Sequence, residues 1–199
     1  MAKITLNHAD AVDVKTSCNL IFTDPPFDMS GSNLAAVFNN INCDHLVLIT
    51  TMKQFVELIK CSQWELSFDF VIDAVVPKKS KSRHQPNYTH ATGAYLTRNT
   101  AKSRFDRKRR QRSDTFDNNG YWPSILRAPR QRLQDHGMAK NEKAVTDIMG
   151  SFDIRSVYDP FAGSGTTGFA AIELDILCEL TELDNARFVS LEKKFSFYK

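Results

Sequence analysis

Two short stretches hold residue types that can do chemistry. The first is Leu20-Ile21-Phe22-Thr23-Asp24-Pro25-Pro26-Phe27, an apolar run that ends at two prolines. Neither proline has a backbone N–H, and each biases its predecessor towards extended geometry, so a strand must stop here. Asp24 is thereby presented at a strand's carboxyl end, the edge at which open α/β sheets bind ligands. One carboxylate, free carbonyls and an aromatic face suit a planar ring that bears an amino group. Asp24 can accept one amino hydrogen, the Pro25 carbonyl the other, and Phe27 can stack on the ring. Alone, the tetrapeptide also reads as an ordinary strand-ending Asp-Pro turn.

The second stretch is Ser156-Val157-Tyr158-Asp159-Pro160-Phe161-Ala162-Gly163-Ser164-Gly165-Thr166-Thr167-Gly168, a strand, a glycine turn and a helix start. Gly163 and Gly165 allow a tight turn and close approach of a ligand, and the helix N-terminus beyond offers N–H donors. The spacing also satisfies G-x-G-x-x-G, so a dinucleotide fold competes. Glu182 follows 19 residues after Gly163, where either class places a ribose-binding acid. Asp159 before the glycines tips the choice, because an acid there repels a pyrophosphate and suits an ammonium group. A phosphate-binding P-loop is excluded, since Gly-Lys-Ser/Thr is absent.

The elements that must position these stretches follow an alternating pattern, which predicts an α/β fold with a mostly parallel sheet. Strands are expected over 4–6, 19–23, 45–50, 68–76, 94–97, 156–158 and 176–180, and helices over 32–39, 52–61, 142–150, 166–174 and 185–194. In the second helix Phe55, Leu58 and Ile59 recur at helical spacing. Residues 78–120 lack sustained periodicity and read as loops around a short strand at Ala94.

With 199 residues, 42% apolar and 25% charged, the chain suits a single globular domain spanning 1–199. No apolar run approaches the roughly 18 residues of a membrane span, and Met1-Ala2-Lys3-Ile4-Thr5 is no signal peptide, so a cytoplasmic, membrane-free protein is expected. Cys18, Cys43, Cys61 and Cys178 form no C-x-x-C pair, which predicts neither a metal site nor a disulfide framework. The net charge of +3 hides an uneven distribution: residues 77–132 carry 15 Lys plus Arg against Asp106, Asp114 and Asp117. The densest run, Arg104-Phe105-Asp106-Arg107-Lys108-Arg109-Arg110-Gln111-Arg112, attracts polyanions, and nucleic acid is the expected partner. The alternative is a solvated loop that binds nothing.

D-P-P-F followed far downstream by D-P-F-A-G-S-G-T-T-G resembles the DNA amino-methyltransferases, and the motif order resembles their β group. The resemblance covers nearly the whole chain. It implies a Rossmann-like S-adenosylmethionine-dependent methyltransferase fold, with Asp24, Pro25, Pro26 and Phe27 catalytic. It implies a cofactor site at Asp10, Asp159, Phe161, Gly163, Ser164, Gly165, Thr166, Thr167 and Glu182. Asn7-His8-Ala9-Asp10 looks like the family segment near the cofactor's adenine, and Thr181-Glu182-Leu183-Asp184 like its acidic segment. His136-Gly137-Met138-Ala139-Lys140-Asn141 resembles the family's H-P-x-Q-K-P and brings Lys140 into the cofactor set, although both prolines and the glutamine are missing.

The implied reaction methylates the exocyclic N6 amino group of adenine in DNA, after the base is flipped onto Phe27. Cytosine N4 is the alternative, because relatives with D-P-P carry mostly the adenine activity and those with S-P-P mostly the other. Cytosine C5 chemistry needs a cysteine nucleophile, and no Pro-Cys pair occurs. Many relatives insert a separate target-recognition domain; here residues 78–135 must serve as a compact basic recognition segment. Its expected DNA contacts are Arg83, Arg98, Arg104, Arg107, Lys108, Arg109 and Arg110, mostly to phosphates, while Tyr95 and Trp122 are expected in the core. Methyltransferases of RNA or of protein amides usually place the cofactor motif first. A catalytically silent nucleic-acid-binding partner of the same fold has no need of Asp24, Gly163, Gly165 and Glu182. Homodimers occur in the family, as do enzymes of restriction-modification in a bacterial cell, host- or virus-encoded.

Overall fold

The computed structural model describes residues 2–78, 84, 88–107, 122–127 and 141–198. Strands β1 (Ile4–His8), β2 (Thr16–Ser17) and β3 (Leu20–Thr23) precede helix α1 (Gly31–Asn39), and a short 3-10 turn at Ala11–Asp13 follows β1. After them come β4 (Ile41–Asn42), β5 (His45–Thr50), α2 (Met52–Lys60), β6 (Glu65–Lys78), β7 (Tyr88–Thr97) and β8 (Ile125–Arg127). The chain then forms α3 (Glu142–Gly150), β9 (Ser156–Asp159), α4 (Thr166–Glu173), β10 (Leu177–Glu182) and α5 (Asn185–Lys194).

Among the described residues, eight strands form one sheet in the order β1-β10-β9-β3-β5-β7-β6-β8, and β2 pairs with β4 separately. All pairings in the large sheet are parallel except β5 with β7 and β7 with β6. The central strands β3 and β5 are buried at every position, as their unbroken apolar sequences require when helices cover both faces. Alternate side chains separate the two layers. Leu20, Phe22, Val47 and Ile49 pack with α3, α4 and α5, whereas Ile21, Leu46 and Leu48 pack with α1 and α2. Burying each such side chain stabilises the fold by about 1.5–3 kcal/mol.

The order of the strands locates the site. From β3 the chain passes through α1 to β5 on one side, and from β9 through α4 to β10 on the other. Connections therefore diverge from the boundary between β3 and β9. That divergence opens a crevice at the carboxyl ends of these two strands.

Several expectations are corrected. β7, inside the stretch read as loops, is ten residues long rather than four, and it pairs antiparallel with β6, which is 14 residues long where a strand over 68–76 was expected. Residues 88–97 of the expected recognition segment are thus sheet. β8, the 3-10 turn and the small β2–β4 sheet were not anticipated. That small sheet, whose last register pair is Ser17 with Asn42, also brings Cys18 and Cys43 together, and the Cys43 thiol donates to His45 O at 3.2 Å. The contact with Cys43 and burial push the Cys18 thiol upward. Tyr95 is fully buried and Trp122 packs against the core, as expected. No helix among the described residues is long and apolar enough to cross a membrane.

Candidate active site

Both chemical stretches meet at the crevice. A cavity of about 640 Å³ is lined by Asp24, Pro25, Pro26 and Phe27 on one side and by Asp159, Phe161, Gly163, Ser164, Thr166 and Thr167 on the other. Asp10, Glu182, Asp184 and Arg187 also line it. Within the described residues, no cluster of three His, Cys, Asp or Glu side chains is placed to hold a metal.

Asp24 follows directly on β3, and Met29 N donates to Pro26 O at 3.1 Å, closing a turn with Phe27 and Asp28 at its centre. Phe27 is 39% exposed and lines the cavity. The glycine loop is braced from several directions. Gly163 and Gly165 have φ of +52° and +86°, the left-handed region that favours glycine. At Gly165 a Cβ would stand 2.8 Å from Leu191 and 2.9 Å from Phe195, so α5 packs where only hydrogen fits. Lys194 Nζ donates to Ser164 O at 3.1 Å. Gly165 caps α4 with no side-chain hydrogen bond, so the first-turn N–H groups have no capping side chain.

Glu182 ends β10 and is 7% exposed. Its carboxylate accepts from Gly163 N at 2.9 Å and from Asp184 N at 2.9 Å, which ties the glycine loop to the acidic segment. Each oxygen keeps lone-pair capacity for a hydroxyl. Asp10 caps the 3-10 turn through Val12 N at 3.2 Å.

Asp159 is the buried hub. Its Oδ1 accepts from Thr23 Oγ1 at 2.8 Å and from Phe161 N at 3.0 Å, and its Oδ2 accepts from Thr167 Oγ1 at 2.6 Å. Burial pushes its carboxyl up to about 6; the three donors oppose that, and the neighbouring Asp24 carboxylate adds to it. Thr23 directly precedes Asp24, so one hydroxyl joins the strand bearing the tetrapeptide to the strand bearing the glycine loop.

The expected DNA contacts are redistributed. Arg98 and Arg104 lie at the opposite end of the sheet from the crevice, beside His45 at the start of β5. Arg98 donates to Ile41 O at 2.6 Å and Phe38 O at 3.4 Å, approaches Asp44 at 3.5 Å and lies over the Trp64 ring. It therefore serves the C-terminal end of α1, where a cation complements unpaired carbonyls and the helix dipole. Arg104 donates to Asp153 O at 3.1 Å. Arg107 is exposed. Arg83, Lys108, Arg109, Arg110 and Lys140 lie outside the described residues. Sequence reading missed Thr23, Gln54, Arg187 and Lys194, because their types are common and their partners are distant in sequence.

Sheet order, helix layers and crevice together are those of the Rossmann-like fold of S-adenosylmethionine-dependent methyltransferases. Solved structures share this architecture over nearly their whole length. M1.HpyAVI in complex with SAM matches with a TM-score of 0.69 at 19% identity, covering 96% of this chain and 99% of that one. The cytosine-N4-specific PvuII DNA methyltransferase matches with a TM-score of 0.76 at 14% identity, covering 97% and 86%. A Thermus thermophilus protein described as a DNA modification methylase, complexed with S-adenosyl-L-methionine, matches with a TM-score of 0.71 at 16% identity, covering 98% and 93%. No protein-family model matches the sequence, and no curated protein does.

Proposed function

We propose that the chain transfers a methyl group from S-adenosylmethionine to the exocyclic N6 amino group of adenine in DNA. The observation that carries this reading is the shared cavity. The Asp24-Pro25-Pro26-Phe27 turn and the glycine loop line one space at the point where the strand connections diverge.

The residues present fit the cofactor. A cavity of about 640 Å³ is of the size that holds a small-molecule ligand. A Cβ at Gly163 would meet only Phe161 O at 3.8 Å, so the backbone there is open to close approach. Buried Glu182 stands ready for ribose hydroxyls, with Asp10 beside it on the wall. When bound, S-adenosylmethionine supplies an electrophilic methyl carbon on a sulfonium. Gly163, Ser164, Gly165, Thr166, Thr167 and Phe161 form its cradle, and Asp159 holds that cradle from behind; Lys140 belongs to the same proposed set.

Asp24 and the Pro25 carbonyl accept the two amino hydrogens of the base while Phe27 stacks on its ring. Held so, the amino nitrogen loses conjugation and turns its lone pair outward, and catalysis consists of alignment plus hydrogen bonding to charge that develops on nitrogen. β6 runs out and β7 returns at the carboxyl end of β5, the side of the crevice. Lys79, Lys81 and Arg83, which come between these strands in sequence, are proposed phosphate contacts, and the run Arg107, Lys108, Arg109 and Arg110 adds general attraction to DNA.

Incubation of unmodified DNA with protein and cofactor, followed by mass spectrometry of the nucleosides, tests the proposal. N6-methyladenine is the expected product. N4-methylcytosine would transfer the assignment to the alternative base, which the likeness to the PvuII enzyme favours. Absence of any methylated base would overturn the reading.

A further inference from the structure

The turn that carries Phe27 is poor in backbone donors. Pro25 and Pro26 have no N–H, and Met29 N closes the turn onto Pro26 O. One side chain adds two further hydrogen bonds. Gln54, in the first turn of α2, is 2% exposed and donates through Nε2 to Pro26 O at 2.9 Å and to Met29 O at 2.7 Å. The two carbonyls at the ends of the turn thus share one amide nitrogen, and Phe27 and Asp28 are held between them.

Two further features fix the amide. The Thr50 hydroxyl, at the end of β5, donates to Gln54 Oε1 and so decides which end of the amide faces the turn. Gly31 allows α2 to come close, since a Cβ there would lie 2.4 Å from the Glu57 carbonyl carbon. The pattern Thr51-x-x-Gln54 is that of a capping box, in which glutamine usually folds back on its own helix. Thr51 Oγ1 does accept from Gln54 N at 3.3 Å, but the amide goes to the turn instead.

We propose that Gln54, oriented by Thr50, is a positioning residue for methyl transfer: it sets the Phe27 ring and the neighbouring Pro25 carbonyl against the base. This inference rests on the function proposed above. Gln54 is not among the residues that line the cavity and bonds only the tetrapeptide turn and Thr50 through its amide, so it should govern turnover and leave cofactor binding alone.

Gln54→Met keeps the volume and removes both donors. With the full chain and plasmid DNA, kcat is expected to fall about ten- to hundredfold, the range for a misplacement of about 1 Å near the reacting atoms. The cofactor Kd by calorimetry should stay within about twofold, equivalent to less than half a decade in binding. Hydrogen exchange at the Met29 amide should quicken while β3 amides keep their protection. Thr50→Val, which retains Gln54 but frees its orientation, should lower kcat in the same direction, and Thr50→Ser should restore most of the loss. Parental kcat in Gln54→Met, or equal losses of kcat and cofactor affinity, would refute the positioning role. An unmutated chain that methylates nothing would bring down the functional reading itself, while the exchange rate at Met29 still reports whether Gln54 clamps the turn.

Discussion

Asp159 carries a proton more readily in the fold than in the unfolded chain, because burial raises its carboxyl from 3.8 to about 6. Below pH 4 both states are protonated and the group adds no pH slope. Between about 4 and 6 the unfolded state has released a proton that the folded state keeps, so this contribution to stability is lost as pH rises through 6. The loss amounts to about 3 kcal/mol, taken as roughly two pKa units at 1.36 kcal/mol each. Urea unfolding from pH 4 to 7 should show the unmutated chain losing about that much relative to Asp159→Asn; parallel curves would refute it. Asp24→Ala should abolish methyl transfer and spare cofactor binding. Glu182→Ala should weaken cofactor binding about tenfold or more, since loss of a hydrogen bond to a charged group costs roughly 1.5–3 kcal/mol, and an unchanged Kd by calorimetry would move the ribose site elsewhere. Residue types at fixed spacing made these candidates legible: two prolines after Asp24, two glycines after Asp159. The hub role of Asp159 was not legible, because Thr23 and Thr167 become its partners only when β3 and β9 lie side by side.

At the scale of elements, the glycine loop depends on α5 as much as on its own sequence. Gly163→Ala makes only an ordinary contact with Phe161 O at 3.8 Å and should cost about 1 kcal/mol, the ordinary penalty of a left-handed residue. Gly165→Ala adds approaches under 3 Å to Leu191 and Phe195 and should cost about 1–3 kcal/mol more, as overpacked sites do. Thermal unfolding of the two variants checks the ranking; equal midpoints would mean that α5 yields without cost. The strands of uninterrupted apolar sequence, β3 and β5, were readable because their burial on both faces leaves no polar alternation to misread. β7 was hidden. Its sequence Tyr-Thr-His-Ala-Thr-Gly-Ala-Tyr-Leu-Thr is small and polar over its first half, and Gly93 looks like a break. In the sheet, Gly93 is where the Phe70 ring crosses from β6, with a Cβ position only 2.2 Å from that ring. A cross-strand packing requirement of this kind exists only once the ribbon has paired.

At the scale of the molecule, charge was legible as an amount but not as a direction. The sequence shows one basic segment, whereas among the described residues its members Arg98 and Arg104 fall at the end of the sheet away from the crevice. β6 ends and β7 begins on the crevice side, and Lys79, Lys81 and Arg83 come between them in sequence; Arg98 and Arg104 sit beside His45 at the other end and bond internal carbonyls. Charges that touch phosphates release counterions, and each such charge removed should flatten the dependence of log K on log salt by about 0.9 for duplex DNA. On the proposed function, replacing Lys79, Lys81 and Arg83 by serine should therefore flatten the slope by up to about three times that amount and also lower turnover. Serine at Arg107, Lys108, Arg109 and Arg110 should flatten the slope with a smaller effect on turnover. Arg98→Ala should leave the slope unchanged and lower the unfolding midpoint, since its bonds to Phe38 O and Ile41 O close the end of α1. If Arg98→Ala flattened the slope instead, or the triple serine variant between β6 and β7 left turnover intact, DNA would have to approach the amino-terminal edge of the sheet, away from Asp24, and the route from polymer to reacting base would need a different geometry.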